Sequence, residues 1–339
     1  MIKYNQVTVY KYSVKIKMEG AFCMEKKLLL IVNSHSGKRK KFSVFDKIQK
    51  RLTEQGWQTD MVFTKHSGHA AELSAEAEGY DRIVCVGGDG TLSEVCNGIL
   101  VSGRNVQLGY VPTGSTNDFA RGIGLPRKIK KSTLLAASEE CFPIDAGAFV
   151  KDGEKERFFS YVASFGMFTS ISYSTAQSFK NKFGHFAYVF EGLKSLTDLQ
   201  KFRSFNLKIE ADGEMIEGEF IFGAITNSTS LGGLVKLDKN SVTVCDGLFE
   251  ILLIKKPNNI FDLTDTVGQL MNKKYNRSRI IFRHVKSLSL ISEHPIEWTL
   301  DGEYAGESMR ADINVRPAAL NFVRHETAKN HLISHKKTP

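Results

Sequence analysis

Apolar runs of five or six residues alternate with helix-period segments through the first third of the chain. Leu28 to Val32 reads as a buried strand, and Phe42, Phe45, Ile48 and Leu52 fall on one helix face. Met61 to Phe63 reads as the next strand, Ala70 to Ala77 as a helix and Arg82 to Val86 as a strand. Leu92 to Leu100 then predicts a helix and Val106 to Val111 a further strand. Strands that alternate with helices in this way build a parallel sheet with helices on both faces, and such sheets bind ligands beyond the carboxyl ends of their strands.

After about residue 147 the pattern changes to strands punctuated by turns. Phe158 to Phe165, Arg203 to Ala211, Glu214 to Thr226, Ser241 to Ile254, Ser287 to Ile291 and Ile296 to Leu300 are strand candidates. Asp212-Gly213 is a hairpin turn, because both residues tolerate the positive φ that tight hairpins demand. Helical segments at Gly184 to Leu199 and Ile260 to Met271 interrupt the strands. The expected fold is therefore α/β: an N-terminal doubly wound parallel-sheet domain over residues 24–146, a mainly antiparallel β domain over 147–315, and an active site in the cleft between them. The chain is expected to rejoin the first domain at about 316–325.

The ends differ from the body. Residues 1–23 carry four lysines against Glu19, and 326–339 form a basic tail with three lysines against Glu326. These two segments hold five of the nine net positive charges, leaving +4 for the rest. That excess suits anionic substrates or an anionic membrane surface and falls short of a nucleic-acid-binding footprint. Met24-Glu25-Lys26-Lys27 reads as an ordinary start, so Met24 is the expected initiator and 1–23 an extension; the alternation of Val7, Val9, Tyr12 and Val14 leaves a real β-ribbon as the alternative. Five scattered cysteines without CxxC spacing signal neither a disulfide framework nor a zinc site and fit a reducing cytoplasm. No apolar run approaches the roughly 20 residues of a membrane span. His66 and His69, three residues apart and without an evident carboxylate partner, suggest no metal cluster.

The chemistry sits in the loops after the strands. Gly87-Gly88-Asp89-Gly90-Thr91 follows one strand and opens a helix; its glycines let backbone approach phosphate oxygens, and the helix N-terminus offers N–H groups to an anion. A carboxylate in such a turn repels phosphate unless a cation stands between them, so Asp89 implies Mg²⁺; the plainer reading makes Asp89 a helix cap. Asn33-Ser34-His35-Ser36-Gly37-Lys38 and Pro112 to Arg121 follow two other strands with similarly small, polar residues.

Together with Gly114-Ser115-Thr116-Asn117-Asp118-Phe119-Ala120, Gly232-Gly233, Asp246-Gly247 and Asp301-Gly302-Glu303, these loops resemble the diacylglycerol kinase and sphingosine kinase superfamily, especially its bacterial lipid kinase branch. The resemblance runs from Met24 to about Asn321. It implies an ATP-dependent lipid kinase of lipid metabolism that moves a γ-phosphoryl group to a lipid hydroxyl. It also implies that Asn33, Lys38, Thr64, Gly87, Gly88, Asp89, Gly90, Thr91, Gly114, Ser115 and Asn117 bind ATP. Asp89, Asp118 and Asp145 would hold Mg²⁺ through water, Asp246 a second, structural Mg²⁺, and Asp301 would be the general base with Glu303 beside it. Without the resemblance, Asp301-Gly302 is also an ordinary hairpin turn and Asp118 a helix cap.

Three departures stand out. Asn33-Ser34 replaces the family's usual Asn-Pro, Leu234 stands where a third glycine is usual, and Lys236 to Ser241 breaks the usual approach to Asp246-Gly247. The stretch Phe179 to Tyr188 mixes aromatics with lysines, Lys182 among them, and reads either as a membrane-facing acceptor region or as a core helix with a solvated entrance. The resemblance places the protein in the cytoplasm, peripheral at the inner face of the membrane, with a lipid alcohol as substrate, no nucleic acid partner, and a homodimer among the assemblies relatives adopt. A soluble-substrate kinase of the NAD kinase type and a catalytically silent nucleotide-binding regulator remain open alternatives.

Overall fold

The computed structural model describes residues 10–12, 26–37, 41–166, 203–231, 235–238 and 241–324. Described residues up to Ile144 together with 319–324 form unit 1, and Asp145–Ala318 form unit 2. In unit 1 the strands are β1 (Tyr10–Tyr12), β2 (Lys27–Val32), β3 (Gln58–Phe63), β4 (Arg82–Gly87) and β5 (Gln107–Pro112). The helices between them are α1 (Phe42–Glu54), α2 (His69–Ala75) and α3 (Asp89–Ser102), followed by α4 (Asp118–Gly122) and α5 (Ile129–Ala136). β3, β2, β4 and β5 lie side by side and parallel, while β1 runs antiparallel along β3. Every residue of β4 is buried, as a strand covered on both faces requires. The last stretch of the chain pairs parallel to β5, Asn321 opposite Gln107 and Phe322 opposite Leu108.

One cluster joins Leu28, Leu30, Val32, Phe45, Ile48, Leu52, Val84 and Val86, so the apolar face expected of α1 packs on the central strands. Phe42 is the exception. It begins the helix and is 67% exposed, touching the Phe63 ring at 5.4 Å.

The chain leaves unit 1 within β6 (Cys141–Lys151) and returns within a 21-residue strand, β16 (Glu303–Val323). Between them come β7 (Arg157–Phe159), β8 (Val162–Gly166), β9 (Phe205–Ala211), β10 (Glu214–Thr226), β11 (Ser230–Leu231), β12 (Val235–Lys236), β13 (Phe249–Lys255), α6 (Ile260–Asn272), β14 (Ile280–Val285) and β15 (Ser287–Leu300). In unit 2, β16, β15, β8, β10, β13 and β14 pair antiparallel in that order, and β9 pairs with both β10 and β15. Phe149, Phe165 and Trp298 are fully buried at the centre, with Trp298 5.0 Å from Phe165 and 5.1 Å from Phe149.

Two expected strands are corrected. The run Phe158 to Phe165 is broken at Ser160-Tyr161, whose N–H groups bond to a side chain instead of a neighbouring strand. The run from Ser241 becomes strand only at Phe249, because Gly247 takes φ 75° and the Asp246 carboxylate accepts the Leu248 N–H in a local turn. Lys38, Phe179 to Tyr188, the helix expected at Gly184 to Leu199, Gly232-Gly233-Leu234 and the basic tail lie outside the described residues. No described helix is long and apolar enough to cross a membrane.

Candidate functional site

Three loops meet at the carboxyl ends of β2, β4 and β5. The Asn33 amide donates to the Thr91 hydroxyl at 3.0 Å, and the Ser36 and Thr113 hydroxyls lie 2.9 Å apart. The Gly87 carbonyl accepts the N–H groups of Thr113 (2.7 Å) and Gly114 (3.2 Å), fastening the second loop to the third. The approach tolerates no side chain: a Cβ on Gly114 would stand 2.6 Å from the Gly88 Cα, and one on Gly87 2.5 Å from the Thr91 Cβ. Gly88 opens the 14-residue helix α3 with no side-chain cap, which leaves the helix end to an outside acceptor. Gly37, at φ 66°, presses just as closely on the Thr113 carbonyl, where a Cβ would come within 2.4 Å.

Asp89 Oδ2 accepts the Asp118 N–H at 3.0 Å and Oδ1 the Phe119 N–H at 3.2 Å. It is thus a cap, as the plainer reading had it, but of α4 and not of its own helix. Asp118 is buried, with Arg121 Nη1 3.7 Å from its Oδ1. Asn117 sits at φ 50°, donates to the Gly114 carbonyl at 2.9 Å and faces the buried Tyr110 hydroxyl at 3.3 Å. Burial, with Asp89 nearby, holds that phenol well above its ordinary pKa. Thr64 is half-buried and donates its N–H to the Val32 carbonyl, while Ser115 is exposed. Hard oxygen donors around an uncapped helix end fit a magnesium–phosphate pair.

Asp145, Asp246, Asp301 and Glu303 belong to unit 2. Asp145 is buried and accepts the Ala318 N–H on Oδ1 and the Gly247 N–H on Oδ2, both at 2.7 Å. Burial raises its pKa, and the Asp246 charge adds to that, against the pull of the two N–H groups. Asp301 and Gly302 turn the hairpin between β15 and β16 at φ 50° and 86°, with Leu300 paired to Glu303. The Asp301 carboxylate is 3% exposed and receives four donors: Ser160 N (2.8 Å) and Ser160 Oγ (2.9 Å) on Oδ2, Tyr161 N (3.0 Å) and Val162 N (3.1 Å) on Oδ1. Burial pushes its pKa up while these donors resist. Glu303, two residues on, is exposed.

Sequence reasoning missed three participants. Glu94 on α3 accepts the N–H groups of Gly68 (2.8 Å) and Ala70 (3.1 Å) and so fixes the loop after β3; nothing near it in the chain announces a partner 26 residues back. Ser160 carried a signal, a small polar residue inside an aromatic run. Glu72 is the third: its Oε2 lies 4.0 Å from His66 Nε2, correcting the expectation that His66 and His69 have no carboxylate partner.

The family profile described as the diacylglycerol kinase catalytic domain matches residues 27–149. A diacylglycerol kinase of Bacillus subtilis (strain 168) is 30% identical over 284 residues, covering 83% of this chain and 91% of that protein. The chain belongs to the diacylglycerol kinase family. It is accordingly a kinase, a phosphotransferase. A second profile, the YegS C-terminal NAD kinase beta sandwich-like domain, matches residues 162–324 of this family member. A diacylglycerol kinase of Staphylococcus carnosus (strain TM300) is 27% identical over 317 residues, spanning 91% of this chain and 99% of that one. A crystal structure of a diacylglycerol kinase from Bacillus anthracis str. Sterne shares the fold, with a TM-score of 0.69 at 23% identity over 90% of this chain and 98% of that one.

Proposed function

We propose that this kinase transfers the γ-phosphoryl group of ATP to the hydroxyl of diacylglycerol or a closely related lipid. The observation that carries the reading is the interlocked triple loop of unit 1, where Gly87, Gly88 and Gly114 bring backbone to backbone beside the uncapped start of α3. Asn33, Thr64, Gly87, Gly88, Gly90, Thr91, Gly114, Ser115 and Asn117 are assigned to the nucleotide. Asp89 and Asp118 are assigned to Mg²⁺ through water, with Asp145 in the same proposed network and Asp246 holding a structural Mg²⁺. The cation supplies charge neutralisation on the phosphates.

Asp301 is assigned the proton. As the lipid oxygen bonds to the γ-phosphorus and the β–γ bridging oxygen departs with its electron pair, the alcohol proton passes to Asp301. A carboxylate whose pKa burial has raised is a better acceptor than an exposed one. Of its four donors only the Ser160 hydroxyl rotates, so Ser160 Oγ is the partner that the incoming alcohol displaces. The reading thus gives nucleotide binding to unit 1 and proton removal to unit 2, in a protein that works at a membrane surface, as a monomer or a homodimer.

The test is transfer from γ-labelled ATP into diacylglycerol vesicles, into a total lipid extract and, separately, onto NAD⁺. Labelled phosphatidic acid is expected, with no labelled NADP⁺. Label in NADP⁺ alone, or ATP binding without transfer, would replace this reading by one of the two alternatives. Within the same assay D301N should lose far more turnover than E303Q, and the reverse ranking would move the proton to Glu303.

A further inference from the structure

Glu250 and His284 face one another as a cross-strand pair on β13 and β14, and neither is assigned to the reaction above. The Glu250 side chain is fully buried, and no donor hydrogen-bonds to either carboxylate oxygen. A buried polar group without partners is costly, and a native chain that keeps one has a use for it. His284 Nε2 stands 3.6 Å from Glu250 Oε1 and 2.8 Å from the Ser241 carbonyl oxygen. A carbonyl only accepts, so without a cation Nε2 carries the ring proton and donates it to Ser241.

We propose that His284 Nε2, the Glu250 carboxylate and the Ser241 carbonyl form a site for a borderline divalent cation such as Mn²⁺ or Zn²⁺. Ligand atoms about 2.0–2.2 Å from one centre lie roughly 2.9–3.5 Å from each other, and the two distances from His284 Nε2, 3.6 Å and 2.8 Å, lie close to that range. One imidazole with two oxygens favours such an ion over Mg²⁺, which prefers all-oxygen surroundings. The His284 side chain is 38% exposed, so water has a path to the open positions. Burial, with the Asp246 charge adding to it, pushes the Glu250 pKa up to about 9, its own N–H opposing weakly. Near neutral pH the carboxyl therefore holds a proton and the 3.6 Å approach is no ion pair; a cation would take that proton's place. Asp246 adds negative charge nearby without being counted among the three ligands.

The other described cluster is built differently. His66, His69 and Glu72 bring their ligand atoms together, yet His69 Nδ1 accepts the Lys65 N–H at 3.0 Å. That bond leaves the ring proton on His69 Nε2, and burial together with the neighbouring His66 lowers the ring's pKa. Half of its ligating capacity is already committed.

The experiment is calorimetric titration of the chelator-stripped full chain with MnCl₂ and, separately, ZnCl₂, paired with thermal unfolding. With excess MgCl₂ present to fill the Mg²⁺ sites proposed above, one equivalent should bind, and Tm should rise by roughly 5 °C at a cation concentration about 100 times Kd. E250Q and H284A should each weaken binding at least tenfold, and H66A should bind like the wild type. Because an amide replaces a neutral acid in E250Q, that variant is expected to fold; H284A, altered at a half-exposed side chain, keeps the test standing if it does not. No binding up to millimolar cation, wild-type affinity in E250Q and H284A, or loss of binding in H66A would each overturn the site. None of these readouts involves phosphoryl transfer, so the result stands apart from the kinase reading.

Discussion

Among the described residues of unit 2, two Asp-Gly pairs form two-residue hairpins of the same local design and different surroundings, apart from Asp152-Gly153 in the longer β6–β7 connection. Asp212-Gly213 joins β9 to β10 at φ 49° and 84°, and Asp301-Gly302 joins β15 to β16 at φ 50° and 86°. Each carboxylate reaches across to backbone N–H groups of another segment: Asp212 to Lys286 and Ser287, Asp301 to Ser160, Tyr161 and Val162. Asp212 is exposed, Asp301 nearly sealed. Turn chemistry therefore explains why both positions are Asp-Gly. Each carboxylate also takes a serine hydroxyl, Ser287 Oγ at 3.3 Å and Ser160 Oγ at 2.9 Å, so burial is what marks out the one suited to accept a proton.

The widest gap between the two hairpins is expected in catalysis. D301N should lower kcat by about 10²- to 10⁴-fold, the usual worth of a general base, and also destabilise the fold, because an amide N–H₂ would face donors. ATP affinity measured by fluorescence should change little. If D212N produced the same loss in kcat, the contrast between the hairpins would be void.

The second comparison is pH dependence. Asp301 is buried with four donors, Glu250 buried with none. Glu250 has a pKa raised from 4.5 to about 9, so the folded state binds a proton that the unfolded state has released. The stability this provides is complete below about pH 4.5 and is lost as pH climbs through 9. In metal-free protein the unfolding free energy should therefore fall by up to about 1.4 kcal/mol per pH unit across that window. E250Q should flatten the slope in denaturant melts at pH 6, 7.5 and 9; an unchanged slope would mean that another group titrates.

Smaller effects sharpen the picture. S160A removes the rotatable donor to Asp301, and kcat should shift by about tenfold or less while the pH–rate profile moves, since a hydrogen bond to the anion is gone. A merely structural serine would leave that profile in place. D212N should be the mildest, costing about 1 kcal/mol in a urea melt with kcat unaltered.

Much of unit 1 was legible because its strands are uninterrupted apolar runs and its loops carry glycine where backbones touch. The rest was hidden for identifiable reasons. β6 runs through Pro143, and β16 carries Pro317 and a positive φ at Ala318, features that argue against strand in any local reading. Ser241 to Ile254 looked continuous because Val242, Val244 and Cys245 are apolar, although Asp246-Gly247 turns the chain there. For the candidate site, Gly87 to Thr91 and Asp301 stood out, whereas Glu94 acts on a segment 26 residues earlier and leaves no local trace. Asp89 shows the limit most plainly: the carboxylate was visible, but not that it anchors a helix that begins 29 residues later.

The pairing of residues 321 and 322 with β5 has a consequence for synthesis. The sheet that carries the glycine-rich loops receives its neighbour on that side only after residues 321 and 322 have left the ribosome, long after β5 itself has emerged. Until then the far side of β5 presents unsatisfied N–H and C=O groups, an invitation to self-association that a nascent or truncated chain ending near residue 150 would keep open.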